Sequence, residues 1–211
     1  MRAPASARKG KTMTQKKPAG KLFTTAMMAR IAVLAAMAFV LFLVQIPVVA
    51  FYKLDLSNIP VLLGTFSLGT VPGLVILLVK DLLALLRTTS AGVGDLADFL
   101  MSAALIIPAG IIYHRNKTRK NALIGMAVGT LCMIVAGILI NKWIMLPFYM
   151  TAFHMDMQGI LNYAAVGGVD SEWKLLLMVT GPFNLLKGVV LSLVTGLVYK
   201  PLSPVLHGNV K

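Results

Sequence analysis

Ala122-Leu-Ile-Gly-Met-Ala-Val-Gly-Thr-Leu-Cys-Met-Ile-Val-Ala-Gly-Ile-Leu-Ile-Asn-Lys142 carries no charge before its last residue, and Arg115, Lys117, Arg119 and Lys120 stand just ahead of it. As a helix, such a run reaches about 30 Å, the thickness of a bilayer core. Basic residues crowded against one end of a span mark its cytoplasmic side. The rest of the chain repeats the pattern. It is 58% hydrophobic and only 13% charged, whereas an ordinary soluble domain is about 45–50% apolar and about 25% charged. So much apolar side chain must face lipid. The formal charge of +13 suggests nucleic acid, but its distribution does not. Arg2, Arg8, Lys9, Lys11, Lys16, Lys17 and Lys21 crowd the first 21 residues, and the next cluster is the run ending at Lys120. These are charges flanking spans rather than a binding face.

Working outward, spans are expected at Met28–Pro47, Leu56–Leu68, Leu74–Leu86, Leu96–Tyr113, Ala122–Lys142 and Leu175–Tyr199. Phe51–Asp55 reads as a short outer loop, and Gly69-Thr-Val-Pro-Gly73 as a tight turn from its Gly and Pro. Trp143–Tyr149 suits an aromatic interfacial segment. Met150–Glu172 is a long outer loop with Asp156, Asp170 and Glu172 and no Lys or Arg. Six spans place all the basic clusters on one side and the acidic loop on the other, whereas five would separate them. The expected fold is therefore an all-α integral membrane protein with six transmembrane helices and both termini cytoplasmic. Residues 1–21 are expected to form a disordered basic tail, and 22–211 a single membrane domain. A basic stretch before an apolar one ending Val48-Val49-Ala50 is the order of a signal peptide. That apolar stretch is long enough to span, however, and further spans follow, so cleavage is not expected. No internal repeat marks the chain as a complete secondary transporter. Cys132, the one cysteine, is expected to be a buried, inert thiol.

Polar groups inside spans are costly and each needs a reason. Lys80 and Asp81 are neighbours on one helix and so are not expected to face each other; a structural contact of each with another helix is the simplest reading. Asn184 and Lys187 lie at i and i+3 on one face of the last span, in its outer half. Lys187 is too deep for easy snorkelling. Asn141 ends its span at the same outer level, so two amides and an ammonium converge on an outward-facing pocket. Ala32 and Ala36 have the small-xxx-small spacing that lets membrane helices approach closely. No Gly-x-x-x-x-Gly-Lys-Ser/Thr loop, Gly-x-Ser-x-Gly or His-Glu-x-x-His motif is present. His114, His154 and His207 are too scattered for a metal site or a catalytic dyad. An enzyme is not expected.

Several segments carry a family resemblance. They are Ala32-Val-Leu-Ala-Ala36, Leu54-Asp-Leu-Ser-Asn-Ile-Pro60, Phe66-Ser-Leu-Gly69, Gly94-Asp-Leu-Ala-Asp-Phe-Leu100, Asn141 with Pro147-Phe-Tyr149, and Phe183-Asn-Leu-Leu-Lys-Gly188. In this order the chain resembles the substrate-binding S components of energy-coupling factor (ECF) transporters, in their riboflavin-specific branch. The resemblance implies a six-helix subunit of the bacterial cell membrane that captures riboflavin, the transported ligand rather than a cofactor, from outside. A transmembrane scaffold subunit and two ATPase subunits would drive its release inward. It also implies that Ala32 and Ala36 face the scaffold and that Asn141, Asn184 and Lys187 contact the flavin; Asp95, near the outer surface, is expected at the same riboflavin site. An Asn amide matches the imide edge of the ring, and Phe148, Tyr149 and Phe183 suit its aromatic face. The sequence does not separate riboflavin from FMN. Rival readings are an S component for thiamine or biotin, and a small membrane assembly protein that binds no ligand. A cationic thiamine would want a carboxylate, which only Asp95 and Asp98 stand near the outer surface to supply.

Overall fold

A computed structural model describes residues 24–206 apart from 50, 51, 89, 165 and 166. The expected disorder of residues 1–21 lies outside the described residues, as does His207. Helix α1 (Thr25–Phe42) is followed by a two-stranded antiparallel hairpin, β1 (Ile46–Val49) and β2 (Tyr52–Leu54). Then come α2 (Asn58–Leu68), α3 (Thr70–Ala84), α4 (Val93–Arg115) and α5 (Arg119–Ile140). A π turn at Asn141–Met145 leads into α6 (Leu146–Ala152). The short α7 (Met157–Ala164) and α8 (Glu172–Leu175) precede a second π turn, Leu176–Thr180, and α9 (Gly181–Leu206).

Local chemistry explains several boundaries. The hydroxyls of Thr24 and Thr118 accept hydrogen bonds from the backbone N–H groups of Met27 and Asn121 at 3.3 and 3.2 Å, capping α1 and α5. Gly69 separates α2 from α3 at φ +125°, a conformation that side-chain-bearing residues rarely adopt. The expected five-residue turn thus shrinks to one residue. Thr70–Gly73 is already the first turn of α3, where Pro72 is tolerated because its missing N–H would have no helical partner.

The first span is shorter than expected. α1 ends at Phe42, and Pro47 lies in β1 rather than in a helix. Trp143–Tyr149, the expected interfacial segment, is helical. The chain stays helical over Arg119–Ala152, 34 residues, and the expected loop Met150–Glu172 contains α7. Among the described residues, four helical stretches are long and apolar enough to cross a membrane: Thr25–Phe42, Val93–Arg115, Arg119–Ala152 and Glu172–Tyr199. α2 and α3 have 11 and 15 residues, roughly 16 and 22 Å of rise against about 30 Å of hydrocarbon. Cys132 is exposed on the outer surface of α5, not buried.

The main core lies between α1–α5 and α9, around Leu62, Phe66, Ile76, Leu77, Leu105, Ile106, Met126 and Met133. Leu86, Leu131, Leu193 and Leu197 stay exposed on the outside, as lipid-facing positions should. A second cluster, built on Tyr52, Leu146, Ile160, Leu175, Leu176 and Val179, joins the hairpin, α7 and the π turns at one end. α4 and α5 meet along a glycine seam. A Cβ at Gly125 would lie 2.8 Å from the Ala109 carbonyl oxygen, and one at Gly129 would overlap the Leu105 carbonyl. Small residues permit this approach.

Gly129→Ala should therefore be destabilising. Overlap with a backbone atom costs about 1–3 kcal/mol, against at most about 1 kcal/mol gained in helix propensity. The melting temperature in detergent should fall. Gly196→Ala, whose new Cβ meets nothing within 4 Å, should leave it level or higher.

Candidate functional site

A cavity of about 690 Å³ opens at the end of the bundle that carries the hairpin and the second cluster. That size is within the roughly 300–1,000 Å³ usual for sites that take ligands of drug or vitamin size. Its wall contains residues from α1 (Phe42), the hairpin (Tyr52), α4 (Asp95, Asp98), the first π turn (Asn141) and α9 (Phe183, Lys187).

Lys187 is buried and reaches two carboxylates, with its Nζ 3.1 Å from Asp55 Oδ2 and 3.0 Å from Asp98 Oδ1. Asp98 is shared: its other oxygen receives Lys80 Nζ at 2.7 Å. Lys80 Nζ also stands 2.7 Å from Asp81 Oδ1, but at an angle that leaves both Asp81 oxygens without a hydrogen bond. The expectation that these neighbours do not meet is corrected here. Lys80 is long enough to fold back on Asp81 while pairing across to α4. Asp55 is fixed by the turn that follows it, since Oδ1 accepts from the Ser57 backbone N–H at 3.0 Å and from the Ser57 hydroxyl. The Phe42 ring centroid lies 5.5 Å from Lys80 Nζ, within cation–π range. The result is a continuous line of alternating charge, Asp55–Lys187–Asp98–Lys80–Asp81, spanning the hairpin end, α9, α4 and α3. An ammonium has three donors. Lys187 commits two to carboxylates, which leaves one.

Beside this line is a neutral network. The Tyr52 hydroxyl donates to Asn141 Oδ1 at 3.2 Å and pairs with the Thr180 hydroxyl at 2.5 Å. Burial pushes the Tyr52 phenol up to about 12, outweighing the Thr180 hydrogen bond that acts the other way. It is therefore a neutral hydroxyl at physiological pH. Asn141 and Thr180 belong to the two π turns, so Tyr52 links them. Asn141 also donates to Gly137 O at 2.8 Å. The Tyr52 and Phe183 rings are 5.0 Å apart, giving an aromatic wall next to hydrogen-bonding groups.

Of the residues singled out from sequence, Asn141, Lys187, Asp95, Tyr149 and Phe183 line the cavity together. Asn184 and Phe148 do not. Asn184 is buried between helices, donates to Thr180 O at 2.9 Å, and lies where a Cβ on Gly137 would be. Phe148 packs its ring against Tyr149 and Phe153, behind the wall. Ala32 and Ala36 are exposed on α1, while Ala35 and Ala38 are buried. Sequence reasoning passed over Tyr52, Asp55 and Thr180, and weighed Asp98 only as an anion for a cationic ligand. One signal was available. A deep lysine in a membrane needs an anion, and of seven acidic residues three lie in the long outer loop, leaving Asp55, Asp81, Asp95 and Asp98.

Comparison with known proteins agrees with this architecture. A family model described as "ECF transporter, substrate-specific component" matches residues 26–199. The riboflavin transporter RibU of Staphylococcus aureus (strain TCH60) is 33% identical over 177 residues, covering 82% of this chain and 88% of the relative. RibU of Lactococcus lactis subsp. cremoris (strain NZ9000) is 31% identical, covering 82% and 91%; FmnP of Bacillus subtilis (strain 168), also a riboflavin transporter, is 25% identical, covering 82% and 90%. A solved S component of a bacterial ECF transporter superposes with a TM-score of 0.69 at 29% identity, covering 86% of this chain and 97% of that one. With its helical fold, exposed apolar surface and open cavity of mixed polar and aromatic lining, this chain belongs to the substrate-specific components of ECF transporters, a family of membrane transport proteins rather than enzymes.

Proposed function

We propose that the chain captures riboflavin from outside the cell in the large cavity and holds it until a transmembrane scaffold and two ATPase subunits drive its release inward. The observation that carries this reading is the cavity wall. One spare Lys187 donor, the Asn141 amide and the Tyr52/Phe183 aromatic pair meet around a space of about 690 Å³. Riboflavin has the matching parts: ring carbonyls and an imide edge, a flat aromatic system and a polyol tail. The similarity to RibU and FmnP points the same way. A cationic vitamin would have only Asp95 to pair with, because Asp55 and Asp98 are already engaged by Lys187.

Asn141, Lys187, Asp95, Tyr149 and Phe183 make the contacts in this reading. Asn184 acts one step back, locking α9 against Gly137 on the helix that carries Asn141, and Phe148 supports Tyr149. The chain crosses the membrane six times, with the short α2 and α3 as the two incomplete spans and both termini inside. The scaffold docks on the Ala32/Ala36 face of α1. That helix is the least enclosed of the four long ones, with 22% of its apolar window buried against 39% for the others.

Titration of intrinsic flavin fluorescence tests the site. Asn141→Ala should lose about 1–3 kcal/mol of binding, roughly a 5- to 150-fold rise in Kd, and Phe183→Ala at least about 0.5–1.5 kcal/mol of ring stacking, roughly 2- to 13-fold. Phe148→Ala should change Kd by much less. Unaltered affinity in both cavity variants would sink the assignment.

Topology has its own readout. In a Cys132→Ala background, Ser171→Cys should react with an impermeant thiol reagent on intact cells and Lys117→Cys should not. The reverse pattern inverts the orientation.

Ala32→Trp with Ala36→Trp should preserve riboflavin binding in the purified subunit and sharply reduce uptake by the assembled complex. Normal transport would mean that this face meets only lipid.

A further inference from the structure

At the end of the bundle opposite the large cavity, a second recess of about 180 Å³ lies between the first turns of α5 and the last turns of α9. Its floor, Phe66, Ala122, Met126 and Thr195, is buried, whereas its rim residues Leu123 and Leu197 are 58% and 76% exposed. It is smaller than the roughly 300–1,000 Å³ of a small-molecule site, so a second vitamin site is excluded on size. The recess opens between Leu123 and Leu197 on the exposed apolar surface of the helices. The exposed Arg119 stands at its polar end, within the basic run Arg115, Lys117, Arg119 and Lys120, and has no ion pair among the described residues.

A second observation points to an occupant. Buried threonines in these helices normally return their hydroxyl to the carbonyl four residues back, as Thr65 does to Val61 and Thr130 to Met126, both at 2.8 Å. Thr195 is fully buried on the floor of the recess, yet its hydroxyl has no partner among the described residues. An unpaired buried hydroxyl carries a desolvation cost that an ester oxygen entering the groove would relieve.

We propose that this groove holds one acyl chain of an anionic phospholipid from the surrounding leaflet, with the lipid phosphate against Arg119. The apolar floor, the membrane-facing rim and the basic mouth match the three parts of such a lipid in order. The positive end of the α5 helix dipole adds to the attraction for its phosphate. Basic pockets between helix ends at the cytoplasmic level are the general form of headgroup recognition. This inference does not depend on which vitamin fills the large cavity.

The test is native mass spectrometry of the purified chain released from detergent containing phosphatidylglycerol or phosphatidylcholine of identical acyl chains. The wild type should retain phosphatidylglycerol about fivefold or more over phosphatidylcholine, as expected for one well-placed basic group. Arg119→Gln should abolish that preference. Gly196→Leu, which places a side chain in the groove where an added Cβ meets nothing within 4 Å, should reduce retention of both lipids. Melting temperatures close to wild type would establish that both variants are folded. Equal retention of the two lipids by the wild type overturns the proposal even if a variant fails to fold. So does wild-type retention of phosphatidylglycerol in both folded variants. Displacement of the lipid by millimolar inorganic phosphate would show an anion site alone and would likewise overturn it.

Discussion

A lysine buried between two carboxylates determines where much of this molecule must lie. Lys187 on α9 draws Asp55 from the end of the hairpin and Asp98 from α4, and Asp98 in turn draws Lys80 from α3. A charge left at mid-helix costs about 2.5–3.5 kcal/mol on insertion scales. Removing one partner of a buried pair costs about 3–5 kcal/mol, against about 0.5–1.5 kcal/mol for an ordinary hydrogen bond. No single helix contact competes with that. Four segments far apart in sequence are therefore tied at one level of the bundle, and the cavity forms beside the tie. The arrangement also tunes the ligand site. With Asp55 and Asp98 paired to lysines, the wall presents hydrogen-bond donors and aromatic rings beside one carboxylate, Asp95, that has no ion pair among the described residues.

The cavity needs room as well as charge, and backbone irregularity supplies it. Both helices that flank it widen into π turns, at Asn141–Met145 and Leu176–Thr180. Such single-turn bulges occur often at functional sites because they redirect side chains without ending the helix. Here they aim Asn141 and Thr180 at the same Tyr52 hydroxyl. The hairpin that carries Tyr52 exists because α1 stops at Phe42, short of its apolar run, and α2 begins only at Asn58. A regular six-helix bundle with full-length spans would have filled this space with side chains.

Much of the fold was legible because lipid imposes a one-dimensional rule. Apolar runs and their basic flanks located the start of each long helix to within a few residues, but missed the end of α1 by five and the end of the Arg119–Ala152 stretch by ten. Asn141 and Lys187 stood out because polar groups in such runs are rare. Asn184 was harder to interpret. It shares a helical stripe with Lys187, but three residues turn the helix by about 300°, leaving the two roughly 60° apart. Lys187 reaches the cavity, while the shorter Asn184 meets Gly137. Asp55 and Tyr52 were missed for a different reason. They sit in a segment read as an outer loop, and nothing in hydropathy shows that a loop folds inward as a hairpin. Cys132 was misjudged because an apolar run was equated with burial, whereas a membrane helix exposes apolar side chains to lipid.

α1 brings the two halves of the proposed function together on one rigid element. Its last residue, Phe42, lines the cavity and lies 5.5 Å from Lys80 Nζ, at the inner end of the charge line. Six residues earlier, about 9 Å along the axis, Ala36 is exposed on the outer surface. The same helix buries Ile31, Leu34, Ala35 and Ala38 against the core, and its packing onto α3 carries it beside Lys80. Close-packed side chains transmit displacement poorly by deformation but well by rigid shift. A ligand that repositions Phe42 therefore has little freedom to do so without moving the Ala32/Ala36 face in the same direction. The link requires no conformational change beyond the tilt of one helix with few buried residues. That weak enclosure, a disadvantage for stability, leaves α1 the least buried of the four long helices and the one best able to couple the cavity to a surface outside it.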